Sequence, residues 1–230
     1  MKFASFLKLA LITQGAAGHY IFSTLISGKK TSTNAVRRPA ENAPVHDFLG
    51  TEITCNVNTT NATETVPIVA GGTVGFELDE NKRIYHLGPA AIYLGKAPGK
   101  VGHWDGSGKR WFKIAEWGAT FNPFTFRSLN KSKFTAVIPK DVPSGEYLVR
   151  IEQIGLHIPG SPEFFVGCAQ IKITGGGSGK LRKVAIPGYV SAEKDPGLTA
   201  NIYWPIPTEY TVPGPRVYRG TKAMQARQFW

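Results

Sequence analysis

Lys140-Asp141-Val142-Pro143-Ser144-Gly145, followed directly by Glu146-Tyr147-Leu148-Val149-Arg150-Ile151-Glu152, decides the fold class. The first six residues are a turn cluster, in which Pro presets φ while Asp and Gly tolerate the backbone angles of a chain reversal. The next seven alternate outward Glu146, Arg150 or Glu152 with apolar neighbours, the period of two of a half-buried strand. Residues 134–138 just upstream are a second short apolar run. Residues 164–173 read as a further strand with Gln170 and Lys172 on its wet face, and 66–77 alternates more loosely around Gly71-Gly72. Helical periodicity is poor throughout, and 26 Gly and 16 Pro punctuate the apolar segments. Short strands at regular spacing with turn residues between them predict an all-β chain, an antiparallel β-sandwich. Residues 28–50 and 175–230 show little periodicity and are expected to form long surface loops, which in a compact domain tend to be functional.

The chain opens with the features of a secretory signal peptide over residues 1–18. Lys2 and Lys8 are basic, residues 6–12 form a short apolar core, and Ala16 and Gly18 are small at the cleavage positions. Cleavage after Gly18 makes His19 the first residue of the mature chain. A terminal histidine offers its α-amine and its Nδ1 to one metal ion in a single chelate ring, which an internal histidine cannot do. The amine titrates near ~7.7–8.0, so a metal displaces its proton at neutral pH.

Export fits the rest of the sequence. The two cysteines, Cys55 and Cys168, read as one disulfide closing a long loop. Asn58, Asn61 and Asn130 each begin an N-glycosylation sequon. After the leader no apolar run approaches the ~18–20 residues of a membrane span, so a soluble extracellular protein is expected, without a membrane partner. The formal charge of +11 suits attraction to anionic polymers or a cell surface. Nucleic acid is not expected, because no basic patch interleaved with aromatics is present and the chain is exported. There is no zinc helix of the His-Glu-x-x-His type, no Gly-x-Ser-x-Gly elbow, no P-loop and no dinucleotide fingerprint. A glycosidase carboxylate pair leaves no sequence signature, and nothing among the 16 acidic residues singles one out.

The histidines carry more. Among His19, His46, His86, His103 and His157, the best partner for a terminal His19 is His86, in Tyr85-His86-Leu87-Gly88-Pro89, where a strand gives way to a turn. An amine and two imidazoles supply three nitrogens in a T, a set that favours copper at the top of the divalent affinity order. His46 and His103 read as ordinary surface or core residues with satisfied hydrogen bonds.

His86-Leu87-Gly88-Pro89 followed by Ile92-Tyr93-Leu94 resembles the segment around the second copper histidine of fungal lytic polysaccharide monooxygenases of auxiliary activity family nine. Similar ordered pieces follow. They are Trp111-Phe112-Lys113-Ile114 after Asp105-Gly106-Ser107-Gly108, Cys168-Ala169-Gln170-Ile171, Asp195-Pro196-Gly197, Asn201-Ile202-Tyr203, and Tyr210-Thr211-Val212-Pro213-Gly214-Pro215. The resemblance runs from His19 to about Val217. It implies an immunoglobulin-like or fibronectin III-like sandwich over residues 19–218, with a basic tail at 219–230 and one copper ion on a flat face. It further implies His19 and His86 as copper ligands, and His157 as the neighbouring histidine that hydrogen-bonds the oxygen species. Tyr210 matches a surface tyrosine that stacks on a sugar ring. The implied partners are cellulose or a related β-1,4-glucan oxidised at C1 or C4, an external electron donor, and O2 or H2O2. A monomer is expected.

One motif departs from the family pattern. Where the family has Gln-Phe-Tyr, with Tyr in the axial copper position, this chain has Glu163-Phe164-Phe165. Phe165 has no oxygen and can only block that position, whereas Glu163 can accept a hydrogen bond or, if protonated, donate one. Bacterial relatives in auxiliary activity family ten combine an axial Phe with Glu or Gln, so the change is compatible with catalysis. The departure also leaves room for a copper-handling protein on the same fold that oxidises no sugar; a separate alternative is a carbohydrate-binding module whose aromatics grip sugar without chemistry.

Overall fold

The computed structural model describes residues 19–221; the signal peptide expected at 1–18 and most of the basic tail lie outside the described residues. Strands run in the order β1 (Phe22–Ser27), β2 (Lys30–Ser32), β3 (Val36–Arg37), β4 (Val66–Val69), β5 (Thr73–Leu78), β6 (Ala90–Lys96) and β7 (Lys109–Trp117). They continue with β8 (Ala119–Thr120), β9 (Thr125–Phe126), β10 (Lys133–Val137), β11 (Gly145–Gly155), β12 (Glu163–Thr174) and β13 (Val184–Ala185). The smaller sheet has the order β10-β5-β1-β2 and the larger β13-β7-β6-β11-β12-β3, with β4 added parallel to β12. Among the described residues, named helical elements are single 3-10 turns.

The two sheets face each other across one apolar layer that includes Phe22, Phe76, Phe112, Phe134, Val149 and Phe165. A second apolar cluster, with Trp104, Trp111, Leu148, Phe164, Cys168 and Ile186, lies between the other face of the larger sheet and the loops that cover it. β11 therefore contributes alternate residues to both, Tyr147, Val149 and Ile151 to the first and Leu148 and Ile154 to the second. A strand covered on both faces has no wet side. This overturns the half-buried reading of 146–152: Arg150 and Glu152 are fully buried. They are kept there as an ion pair of 2.7 Å, with Tyr93 and Tyr189 donating their hydroxyls to Glu152 at 2.9 and 2.5 Å. Gln170 is likewise buried rather than wet and accepts a bond from Arg37, while Lys172 is exposed as expected.

Residues 66–77, whose alternation is loose, form two strands in different sheets, since β4 pairs with β12 and β5 with β1 and β10. The break falls at Gly71-Gly72, where a Cβ on Gly72 would stand 2.8 Å from the Val69 carbonyl oxygen. The disulfide forms as expected, tying Cys55 in the loop before β4 to Cys168 on β12 across 113 residues.

Candidate metal centre

The order β6-β11-β12 in the larger sheet brings three polar side chains to one end of the sandwich. His86 stands in the turn before β6. His157 and Glu163 bracket the connection of the β11–β12 hairpin, whose last rung pairs Gly155 with Glu163. The segment entering β1 adds His19 and Tyr20 from the other sheet.

The His86 turn is held with little freedom. Four consecutive carbonyls each receive a donor: His86 O from Gln153 Nε2 at 3.1 Å, Leu87 O from Leu156 N at 2.8 Å, Gly88 O from Ser128 Oγ at 2.5 Å and Pro89 O from Ile154 N at 2.9 Å. A buried turn is stable only with such complete accounting. Gly88, at φ +150°, lets the turn press on β11, because a Cβ there would lie 1.8 Å from the Ile154 carbonyl oxygen.

Around this turn the rings form one assembly. Phe165 stacks on His86 at 5.1 Å and 13° and on Tyr20 at 4.5 Å, and its centroid is 5.9 Å from that of His19. His19 and His86 rings are 6.3 Å apart, and His157 stacks on His86 at 4.3 Å. Candidate ligand atoms of His86, His157 and Glu163 all lie within 4.8 Å of one another. Glu163 Oε2 is 3.5 Å from His157 Nε2. Burial, and after it the Glu163 charge, push the Tyr20 phenol well above its ordinary value, so its hydroxyl stays a donor.

These residues fit a metal such as copper on two observations. His157 Nδ1 and Glu163 Oε2 are buried without a hydrogen-bond partner among the described residues, a state that calls for a further bound group. Gly155 leaves the space between the imidazoles open, since a Cβ there would crowd both His157 Nδ1 and His86 Cβ at 3.3 Å. The donors are imidazole nitrogens with a carboxylate nearby, a set suited to a borderline divalent ion. His19 adds its amine only once the bond to Gly18 is cut.

The remaining expected residues fall outside this cluster. His46 and His103 are exposed, as are Asn58, Asn61 and Asn130. Tyr210 is only partly open to solvent: it is half-buried, donates its hydroxyl to Gly197 O at 3.0 Å and meets Phe126 edge-on at 5.0 Å. The open aromatic surface is made by residues the sequence reading did not single out for it. Tyr203 is exposed and donates its hydroxyl to His157 O at 3.2 Å, and next to it Trp204 is 78% exposed. Tyr85 and Ile158, also exposed, adjoin His86 and His157 in sequence. The adjacent aromatics Tyr203-Trp204 before Pro205, in a stretch with no strand period, were the available signal. Tyr20, Gln153 and Ser128 gave none, because nothing local marks which carbonyl a buried donor reaches.

Fold and site together define a β-sandwich metalloprotein whose histidine centre sits at one end of the sheets, beside exposed aromatic rings. Comparison with known proteins narrows this. The sequence model of Auxiliary Activity family 9 (formerly GH61) matches residues 19–210. An AA9 family lytic polysaccharide monooxygenase H of Malbranchea cinnamomea is 41% identical, over 92% of this chain and 97% of the relative. An AA9 family lytic polysaccharide monooxygenase C of Emericella nidulans is 39% identical, over 96% of this chain and all of the relative (100%). The crystal structure of a cellulose-active polysaccharide monooxygenase from M. thermophila superposes with a TM-score of 0.76 at 29% identity, covering 88% of this chain and 100% of that one. The chain belongs to Auxiliary Activity family 9, and it is a copper-dependent polysaccharide monooxygenase using one copper ion per chain.

Proposed function

We propose that this chain is secreted, that cleavage after Gly18 exposes His19, and that the mature domain oxidises cellulose or a related β-1,4-glucan at C1, C4 or both as a monomer. The observation that carries this reading is the convergence of His19, His86, His157, Glu163 and Phe165 at the end of the sandwich that also bears Tyr203 and Trp204. Two findings support it: the family match begins at His19, and a cellulose-active relative shares the fold. Among the described residues no helix is long and apolar enough to cross a membrane.

In this reading the His19 amine, the His19 imidazole and the His86 imidazole hold the copper. Copper held by these residues would supply the redox chemistry that links an external electron donor and O2 or H2O2 to oxidation of a sugar C–H bond. Every other contribution comes from the chain. Phe165, 2% exposed and stacked on His86, places carbon beside the His86 and His19 rings and offers no ligand atom. His157 stacks its imidazole on that of His86, and the Glu163 carboxylate stands 3.5 Å from its Nε2. Trp204 and Tyr203 offer ring faces to the C–H surface of glucose units, and a polymer that cannot enter a cleft is met by such an exposed surface.

The test is binding to microcrystalline cellulose, followed by depletion from solution. Trp204→Ala is expected to weaken binding about five- to tenfold, while His86→Ala keeps metal-independent binding and loses copper. Unchanged binding by Trp204→Ala would remove the proposed face.

A further inference from the structure

Tyr20 and Gln153 link the two halves of the metal centre. Gln153 is completely buried on β11, and both ends of its amide are engaged. Its Oε1 accepts the Tyr20 hydroxyl at 2.5 Å, and its Nε2 donates to His86 O at 3.1 Å and to Ile154 O at 3.0 Å. Tyr20 is the residue after His19, and His86 O belongs to the second histidine itself. One side chain therefore bridges the strand entry that carries the first imidazole and the turn that carries the second. Gln153 also pairs across the ladder with Phe165, whose ring stacks on both Tyr20 and His86. The amide and the apolar floor thus come from a single rung.

A chain start stays loose unless it is tied down. Ahead of β1 the ties are Ile21 N to Asp79 Oδ1 at 2.9 Å, Asp79 N to Ile21 O at 2.9 Å, and Tyr20 to Gln153. The Asp79 ties hold the segment to the end of β5. Of these three, the Tyr20 tie is the one that reaches the His86 turn, through Gln153.

We infer that Gln153, acting with Tyr20, is a positioning residue of the copper centre that fixes the spacing and tilt of the His19 and His86 imidazoles. This rests on the assignment of those histidines as ligands. Groups behind metal ligands typically alter affinity 10–100-fold when removed, and a centre completed by a chain terminus depends on what orders that terminus.

The experiment uses the full mature chain with His19 terminal. Copper(II) affinity is measured by competition titration, and the copper hyperfine splitting by electron paramagnetic resonance, for wild type, Tyr20→Phe, Gln153→Met and the double variant. Each single change is expected to weaken affinity about tenfold and to shift the hyperfine splitting. The double variant is expected to stay within about threefold of the weaker single, because both changes cut one link. Tyr147→Phe, which removes a hydroxyl bonded to Pro143 O at 2.7 Å in another part of the fold, is expected to leave both readings unchanged. Wild-type affinity and spectrum in both single variants, or fully additive losses in the double, would overturn the inference. If Gln153→Met does not fold, Tyr20→Phe, which deletes one oxygen, decides alone. A wild type that binds no copper, or a His86→Ala variant that binds it as tightly, overturns the ligand assignment and the inference with it.

Discussion

Arg150 and Glu152 show what a single residue depends on in this fold. Their burial is tolerable because the Arg150 guanidinium also donates to Ile53 O and Thr54 O and lies 5.4 and 5.3 Å from the Tyr93 and Tyr189 rings. Burial alone would lower the Arg150 pKa, but Tyr189, Glu152 and Tyr93 outweigh it and hold the charge. Glu152→Gln keeps the shape and leaves that guanidinium unbalanced, so it is expected to destabilise by about 3–5 kcal/mol in urea unfolding; a change below about 1 kcal/mol would show that the charge is not what matters. The period-two alternation of 146–152 identified the strand correctly and its exposed face wrongly. What covers that face is loop, and loop cover is not encoded in a strand's own pattern. The histidines proposed for copper stood out in the sequence for a different reason: His86 and His157 lie in short motifs, and His19 follows a leader-like stretch. Glu163 and Phe165 were legible as substitutions within such a motif.

At the scale of elements, the His86 turn and the segment after β13 carry the argument. Gly88→Ala places a methyl against the Ile154 carbonyl in a backbone conformation that favours glycine, and is expected to destabilise by about 2–3 kcal/mol. Because the turn must move to accept it, copper affinity should fall as well; unfolding and copper titration on the same variant check both. The loop between β10 and β11 anchors the end of the described chain through Asp141. Its carboxylate accepts bonds from Tyr218 Oη at 2.6 Å and from Thr221 N and Oγ1, both at 2.7 Å. Burial alone would raise the Asp141 pKa, but the Tyr218 and Thr221 bonds outweigh it and hold the group below its ordinary value near 3.8. A depressed carboxylate contributes stability above its unfolded pKa and loses it as the pH falls through its lower folded value. Stability measured from pH 6 down to pH 2 should therefore drop more steeply in wild type than in Asp141→Asn; parallel curves would contradict this. Strand elements were readable where turn residues bounded apolar runs, as for β10, β11 and β12. The split of 66–77 was not, because adjacent strands of one run pair with partners far along the chain.

For the whole molecule, the two layers of the sandwich and the loops over its outer face act as one unit, closed by the Cys55–Cys168 bond across 113 residues. Removing that bond with Cys55→Ser and Cys168→Ser frees a long loop in the unfolded chain and is expected to lower stability by about 4–5 kcal/mol, read from the urea midpoint and slope. The all-β class was legible from turn spacing, and the family from ordered motifs. The aromatic face was not, since Tyr203 and Trp204 sit where no periodicity indicates orientation, and Tyr210, which the motifs suggested, is half-buried against Phe126. The central claim is that a terminal His19 and His86 hold a copper ion that oxidises a β-1,4-glucan. The measurement that tests it most directly is mass spectrometry of the soluble products from cellulose, using mature protein with and without copper in the presence of a reductant. The account predicts oligosaccharides carrying one added oxygen, or the corresponding lactone or ketone, only with copper, and their loss in His86→Ala. Tight copper binding with no oxidised product across several β-1,4-glucans would contradict it and would direct attention to Phe165 and Glu163.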